Sequence, residues 1–302
     1  MKFQMLGTSE LRVSSLAYGM WRFAGTDVKT AYHKVEKALE VGINFFDQAD
    51  VYGCDGGGSF GDSEALLGDV FAQHPDLRKK MILATKGGIV LGVPYDSSST
   101  YIRSAVEASL KRMNTDYIDL YQIHRPDFLG HPQELAGILT ALRQEGKIRE
   151  VGVSNYTTAQ FDALQAHLDF SIVSHQPQFS CWHYAPLRDG ILDQCLQHTV
   201  TPLAWSPMGG GTLGASYEQA TDRGGDKLIS LLKVLDRIAS EQGVARSAVA
   251  LAWILHHPSK PIPILGTQRL DRIVESVEAF EVQLSRTAWY EILVAAQGEA
   301  LP

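Results

Sequence analysis

The stretch GINFFDQADVYGCDGGGSFGDSEALLG, residues 42–68, decides how the chain folds. An apolar run, 43–46, ends in Asp47. Asp50 and Tyr52 follow, then a glycine run, then a segment that reads as a helix. Two readings compete. In one, Gly56, Gly58 and Gly61 form the G-x-G-x-x-G turn of a doubly wound open sheet, and the carboxylates are bystanders. In the other, a strand stops at the mouth of a barrel, the acid and the phenol are the chemistry, and the glycines are loop.

Spacing decides against the glycines. A dinucleotide turn joins strand to helix tightly and has an acid roughly 20 residues further on. Here the glycines begin roughly ten residues after the strand, too far for that turn. A second match, Gly209, Gly211 and Gly214, follows PLAW closely, but no second strand ending in an acid comes after it. Its bare backbone N–H groups still suit a phosphate.

Outward from this stretch, short β-type runs alternate with amphipathic segments. The runs are 15–18, 44–46, 81–85, 118–123, 150–153, 172–175, 202–205 and 262–265. Helical spacing predicts helices over 27–40, 101–113, 133–145, 159–167, 190–197, 228–242 and 247–256, with a last one over 287–297 beyond the eighth strand. Eight β–α alternations in 302 residues predict a single (β/α)8 TIM barrel domain spanning 1–302, of the α/β class. LGTSEL near the start reads as a short N-terminal β-hairpin, and the last segment as a C-terminal helix.

The bulk properties are those of a water-soluble protein, 45% apolar and 20% charged, with a formal charge of −7. That charge disfavours nonspecific binding to nucleic acid or anionic membrane. Cys54, Cys181 and Cys195 form no paired framework, and the first residues lack the apolar core of a signal peptide, so a cytoplasmic setting is expected. AVALAWIL is too short to span a bilayer. No metal-ligand spacing occurs among the histidines. A monomer is the default.

In a barrel of this kind function sits where strands end. The predicted strand ends carry Asp47 with Tyr52 a few residues on, then Lys86, His124, Ser154 with Asn155, Gln176 and Trp205. Each alone has a structural explanation. Together, adjacent strands aim an acid, a phenol, an ammonium and an imidazole at one mouth. An ammonium stabilises phenolate, a carboxylate places the ammonium, and an imidazole orients a carbonyl oxygen. Such a set suits carbonyl reduction, with the hydride coming from a reduced cofactor.

FFDQADVYG, ILATKGG, DLYQIHRPD, GKIREVGVSNY, PLAWSPMGGGTLG and PILGTQRLDRIVES together resemble the aldo-keto reductases, most of all the bacterial group labelled YdhF-like. The resemblance runs from the second strand to beyond the eighth. It implies a catalytic tetrad of Asp47, Tyr52, Lys86 and His124, with Tyr52 as proton donor. Asp50 is expected outside the tetrad, as a carboxylate bracing the loop. The implied cofactor is NADPH. Ser154, Asn155 and Gln176 match the positions that hold the nicotinamide amide, and Trp205 the aromatic stacked on its ring. Ser206, Pro207, Met208, Gly211 and Leu213 would line the pyrophosphate. Gly19, Met20 and Trp21 would floor the ribose and substrate, with Asp47 also at the cofactor. Thr267, Gln268 and Arg272 would hold a 2′-phosphate, and Glu275 would face the adenine. The bland alternative for Arg272 and Glu275 is an i, i+3 helix ion pair. The implied activity is NADPH-dependent reduction of a small-molecule aldehyde or ketone. The alternative is an NADP(H)-binding redox-sensing module with little turnover.

Overall fold

Strands β1 (Phe3–Met5) and β2 (Arg12–Ser14) pair antiparallel as the expected hairpin. The chain is described here from a computed structural model covering residues 1–54 and 58–301. After the hairpin come β3 (Ala17–Gly19), α1 (Val28–Glu40), β4 (Phe45–Asp47), α2 (Asp62–Gln73), β5 (Ile82–Gly87) and α3 (Ser99–Arg112). The next elements are β6 (Ile118–Ile123), α4 (Pro132–Gln144), β7 (Ile148–Ser154), α5 (Thr158–Gln165), β8 (Ser174–Gln176) and α6 (Ile191–His198). The chain continues through β9 (Thr201–Ala204), α7 (Tyr217–Gln242), α8 (Arg246–Leu255), β10 (Ile262–Leu265), α9 (Leu270–Glu275) and α10 (Arg286–Gln297).

Strands β3 to β10 are parallel neighbours in chain order, and β10 pairs back on β3 with Ile264 opposite Ala17. The sheet is therefore a closed barrel, and the doubly wound alternative is excluded. Inside it, Ala17, Phe45, Ala84, Leu120, Val173, Leu203 and Ile262 pack with Leu6 and Val13 from the hairpin segment. The hairpin thus plugs the end of the barrel where the strands begin.

Side chains alternate along a strand, and this alternation builds the site. Phe45 points inward, so Asp47 does too. Ala84 points inward, followed by Lys86. Leu120 is followed on the same face by Gln122 and then, just past the strand, by His124. The register sets Asp47 opposite Ala84 and Lys86 opposite Gln122, so the polar layer begins directly above the apolar one.

Most helices form where their spacing predicts. Asp27 caps α1, accepting from the Thr30 N–H at 2.7 Å, and Ala31, Val35 and Ala38 are its buried stripe. Trp253 of α8 stacks on Trp289 of α10 with ring centroids 4.8 Å apart, and each indole N–H donates to the other's backbone carbonyl. Helix α7 starts earlier than expected, at Tyr217, behind a capping box of Ser216 and Gln219. It breaks at Gly225, whose φ of 60° and ψ of −151° admit little but glycine. Among the described residues, no helix is long and apolar enough to cross a membrane.

Candidate active site

Lys86 ends up fully enclosed, and its ammonium has three donors to satisfy. All three are used. They go to Asp47 Oδ2 at 2.7 Å, to the Gln48 carbonyl at 2.9 Å and to the Tyr52 hydroxyl at 2.9 Å. Asp47 is held from its other oxygen, which accepts from Gln176 Nε2 at 2.9 Å and Gln122 Nε2 at 3.3 Å. The Tyr52 ring meets the His124 ring edge-on, centroids 5.9 Å apart. The acid, phenol, ammonium and imidazole expected at one mouth are in one cluster.

Local backbone contacts hold the cluster in place. The Asp50 N–H donates to the Lys86 carbonyl, and the Tyr52 N–H to the Ala49 carbonyl. Ser63 of α2 gives its N–H to the Tyr52 carbonyl and its hydroxyl to the Met20 carbonyl. The segment after β4 is therefore clamped on both sides. The expected bracing by Asp50 comes from its backbone: neither oxygen of its buried carboxyl has a hydrogen-bond partner.

Burial governs the electrostatics. It pushes the Tyr52 phenol above its ordinary pKa, and the charge of Lys86 pulls it back only in part. The ammonium therefore offsets a desolvation cost rather than making the phenol acidic in this state. Burial also acts to deprotonate Lys86, but Asp47 and Tyr52 outweigh it and leave the ammonium above its ordinary value. His124 is held well below its ordinary value by burial, then by the charges of Lys86 and Arg125, so its ring is neutral near pH 7.

The residues proposed for a cofactor lie around the same rim. Gly19 and Met20 are buried at the end of β3, where the Met20 N–H donates to the Asp47 carbonyl, and Trp21 is 45% exposed beside them. The Trp205 indole donates to Asn155 Oδ1 at 2.9 Å, Asn155 Nδ2 to the Ser154 hydroxyl at 2.7 Å, and that hydroxyl to the Gln176 carbonyl at 2.9 Å. Asn155 and Ser206 adopt left-handed backbone, φ 58° and 51°, uncommon for residues other than glycine. After Ser206, Pro207 and Met208, the segment Gly209–Gly214 turns as a 3-10 helix in which Gly209, Gly210 and Gly211 all have positive φ, and Leu213 is buried beneath it.

At the far end of the rim, Tyr18 donates to Gln268 Oε1 at 3.0 Å, while Gln268 Nε2 has no partner. Thr267 accepts from the Arg269 N–H, and Arg269 pairs with Asp271. Arg272 is exposed, and among the described residues no carboxylate pairs with it. The helix ion pair weighed for Arg272 and Glu275 does not form. Glu275 instead accepts from the Ser247 hydroxyl at 2.6 Å. In the first glycine run, Gly58 lies in irregular backbone and Gly61 is the N-cap of α2; Gly56 lies outside the described residues.

Sequence reading missed Gln122 and Arg125. Gln122 was findable, because it lies two residues before His124 and so shares its face. Arg125 follows His124, and its guanidinium lies 5.8 Å from the Trp205 ring centroid. No carboxylate among the described residues pairs with it.

Comparison with known proteins agrees with the barrel fold. The chain is 47% identical to the 6-dehydroglucose reductase of Novosphingobium aromaticivorans, over 99% of this chain and 97% of that one. It is 35% identical to Oxidoreductase YdhF of Escherichia coli, covering 96% and 95% of the two chains. The crystal structure of a thermostable aldo-keto reductase with the inhibitor epalrestat superposes with a TM-score of 0.80, at 24% identity, over 98% of this chain and 100% of that one. That likeness is one of fold. The pattern of the Aldo/keto reductase family matches residues 15–294. With nearly the whole barrel matched and both chains of these relatives covered almost end to end, this protein is a member of the aldo/keto reductase family.

Proposed function

We propose that this chain, as one barrel domain over 1–302, is an NADPH-dependent reductase of aldehyde or ketone carbonyls, with Tyr52 as proton donor. One observation carries the reading: the Lys86 ammonium bonds the Asp47 carboxylate and the Tyr52 hydroxyl at once.

The residues on the rim fit the cofactor. Gly210 and Gly211 have open space where a side chain would lie, which suits the close approach of a pyrophosphate. Among the described residues, Gln268 Nε2 is a buried donor with no partner, and Arg272 is an unpaired guanidinium matched to a phosphate. Ser154, Asn155 and Gln176 would hold the nicotinamide amide, and Trp205 would stack on its ring. When bound, NADPH supplies the hydride.

The protein's own part follows from its groups. His124, neutral and buried, donates an N–H to the carbonyl oxygen and orients it. Tyr52 passes its hydroxyl proton to that oxygen as negative charge develops there. Lys86 stabilises the phenolate left behind, and Asp47 keeps Lys86 in place through the transfer. Gln122 and Gln176 fix Asp47 in turn.

The relative named 6-dehydroglucose reductase extends the reading to sugar-derived aldehydes, and Arg125, which no carboxylate pairs among the described residues, suits an oxygen-rich substrate at the mouth. The test follows loss of reduced-nicotinamide absorbance with a carbonyl panel that includes 6-dehydroglucose, in wild type and Tyr52→Phe. Turnover in wild type and its loss in the variant support the assignment. Activity that survives loss of the hydroxyl removes Tyr52 as donor.

A further inference from the structure

Behind the tetrad lies a polar pair that no step of the reaction uses. Asp50, 1% exposed, sits between Asp47 and Tyr52 in the chain, and among the described residues neither of its carboxyl oxygens has a partner. Tyr121 of β6 is fully buried, and its hydroxyl has none either. The two converge on Gly87. A Cβ built there would lie 2.2 Å from the Tyr121 hydroxyl and 3.2 Å from Asp50 Oδ2. Both oxygens therefore lie close to one point beside Gly87, within the span that a single bridging water covers. Buried polar groups without partners are rare and cost about 1–3 kcal/mol each.

We propose that Asp50 and Tyr121 bind one internal water between them, beside Gly87, and that this bridge positions the tetrad. The connectivity supports the role. Asp50 belongs to the segment that carries Asp47 and Tyr52, and its N–H holds the Lys86 carbonyl at 3.0 Å. Tyr121 precedes His124 by one inward–outward alternation and one residue. A bridge between them joins all three elements that bear the four groups. Only the catalytic half of the proposal rests on the tetrad reading; the water site stands on its own geometry.

The protonation state of Asp50 fits a bridge rather than an ion pair. Burial pushes its carboxyl well above the usual range, and Glu64 of α2 pushes further; Arg112 of α3, the Val51 N–H and Lys86 of β5 oppose without prevailing. The phenols of Tyr101 and Tyr121 also face it. Glu64 is itself occupied, accepting from Thr85 and pairing with Arg112 at 2.7 Å. When protonated, Asp50 offers a donor beside its acceptor oxygen, the complement a water needs.

The test uses the whole chain with NADPH and three variants: Asp50→Asn, Asp50→Leu and Tyr121→Phe. Crystal structures are expected to show a water touching residue 50 and Tyr121 in wild type and Asp50→Asn, and none in Asp50→Leu. The infrared difference between wild type and Asp50→Asn at pH 7 is expected to carry a protonated-carboxyl stretch. With a reducible substrate, Asp50→Asn should keep kcat and its pH profile. Asp50→Leu and Tyr121→Phe should each lower kcat about tenfold with NADPH binding unchanged, as small misplacements of catalytic groups do. The double variant should lose no more than either. No water in wild type, an ionised carboxyl, loss in Asp50→Asn as large as in Asp50→Leu, or full activity in all three overturns the proposal. A bridging water in a wild-type protein that reduces no carbonyl overturns the catalytic half and leaves the water site standing.

Discussion

The Tyr52 hydroxyl accepts from the Lys86 ammonium at 2.9 Å while the same ammonium donates to Asp47 at 2.7 Å. This arrangement makes Lys86 both a structural and a chemical element. Replacing it with methionine leaves Asp47 buried without its cation, which costs about 3–5 kcal/mol when one partner of a buried pair is removed. The phenol also loses the charge that offsets its burial. Lys86→Met is expected to lower the urea midpoint and to cut kcat by roughly a hundredfold or more, the range of general acid–base catalysis. Adding Asp47→Asn should recover much of the stability and none of the rate. Recovery of rate in the double variant would mean that Lys86 acts only by neutralising Asp47.

The pH dependence follows from burial. Tyr52 is pushed above its ordinary value, so it stays a proton donor through neutrality. Reduction is expected to be level across neutral pH and to fall only above about pH 10, the ordinary phenol value. Stability has a different pattern. His175 is buried against Phe161, and burial lowers it to about 4; the Tyr156 backbone nearby offsets only part of this. Its folded pKa lies below its unfolded one, so below the unfolded value the unfolded chain binds the extra proton. The stability it contributes is complete above about pH 6.5 and is lost as pH falls toward 4, about 2 kcal/mol by pH 5. His124 acts in the same direction. Asp50 and Glu64, raised by burial, act in the opposite one. The clean measurement is therefore a difference: urea midpoints at pH 7 and 5 for wild type and His175→Gln, with the smaller acid loss in the variant.

Much of this architecture was legible because the signals are local. The eight apolar runs announce themselves by period, and Asp47, Lys86 and His124 stand where each run stops. What was hidden depends on backbone or distant partners. Helix α2 was legible as a helix, but not its first residue, because its N-cap Gly61 has φ 88° and no side-chain cap. The first half of α7 is polar and interrupted at Gly225. The helix pair weighed as the bland alternative for Arg272 and Glu275 is absent because Glu275 accepts from Ser247, on another helix. The role of Asp50 changed for the same reason, because its backbone braces the loop while its carboxyl faces Tyr121 across Gly87.

Arg272 is the cofactor-choice prediction. It is exposed and unpaired among the described residues, whereas Arg269 is tied to Asp271. Charge-assisted hydrogen bonds contribute about 1.5–3 kcal/mol. Arg272→Ala is expected to raise KM for NADPH by roughly tenfold or more on that scale, leaving KM for NADH and kcat little changed. Equal loss with both cofactors would show that the guanidinium holds something common to them, and not the 2′-phosphate.

Gly87 offers the most local test of how the site is packed. A methyl group there would lie 2.2 Å from the Tyr121 hydroxyl and 3.3 Å from its Cζ, with Tyr121 fully buried and unable to swing away. Overpacking of this kind costs about 1–3 kcal/mol. The strain falls on the residue after Lys86, so Gly87→Ala is expected to lower both stability and kcat. Tyr121→Phe removes the atom that the methyl would strike. The double variant should therefore be more stable than Gly87→Ala alone, a coupling of opposite sign to two independent losses. Thermal unfolding of the four proteins gives the cycle directly. Strictly additive losses would place the strain elsewhere than at this hydroxyl.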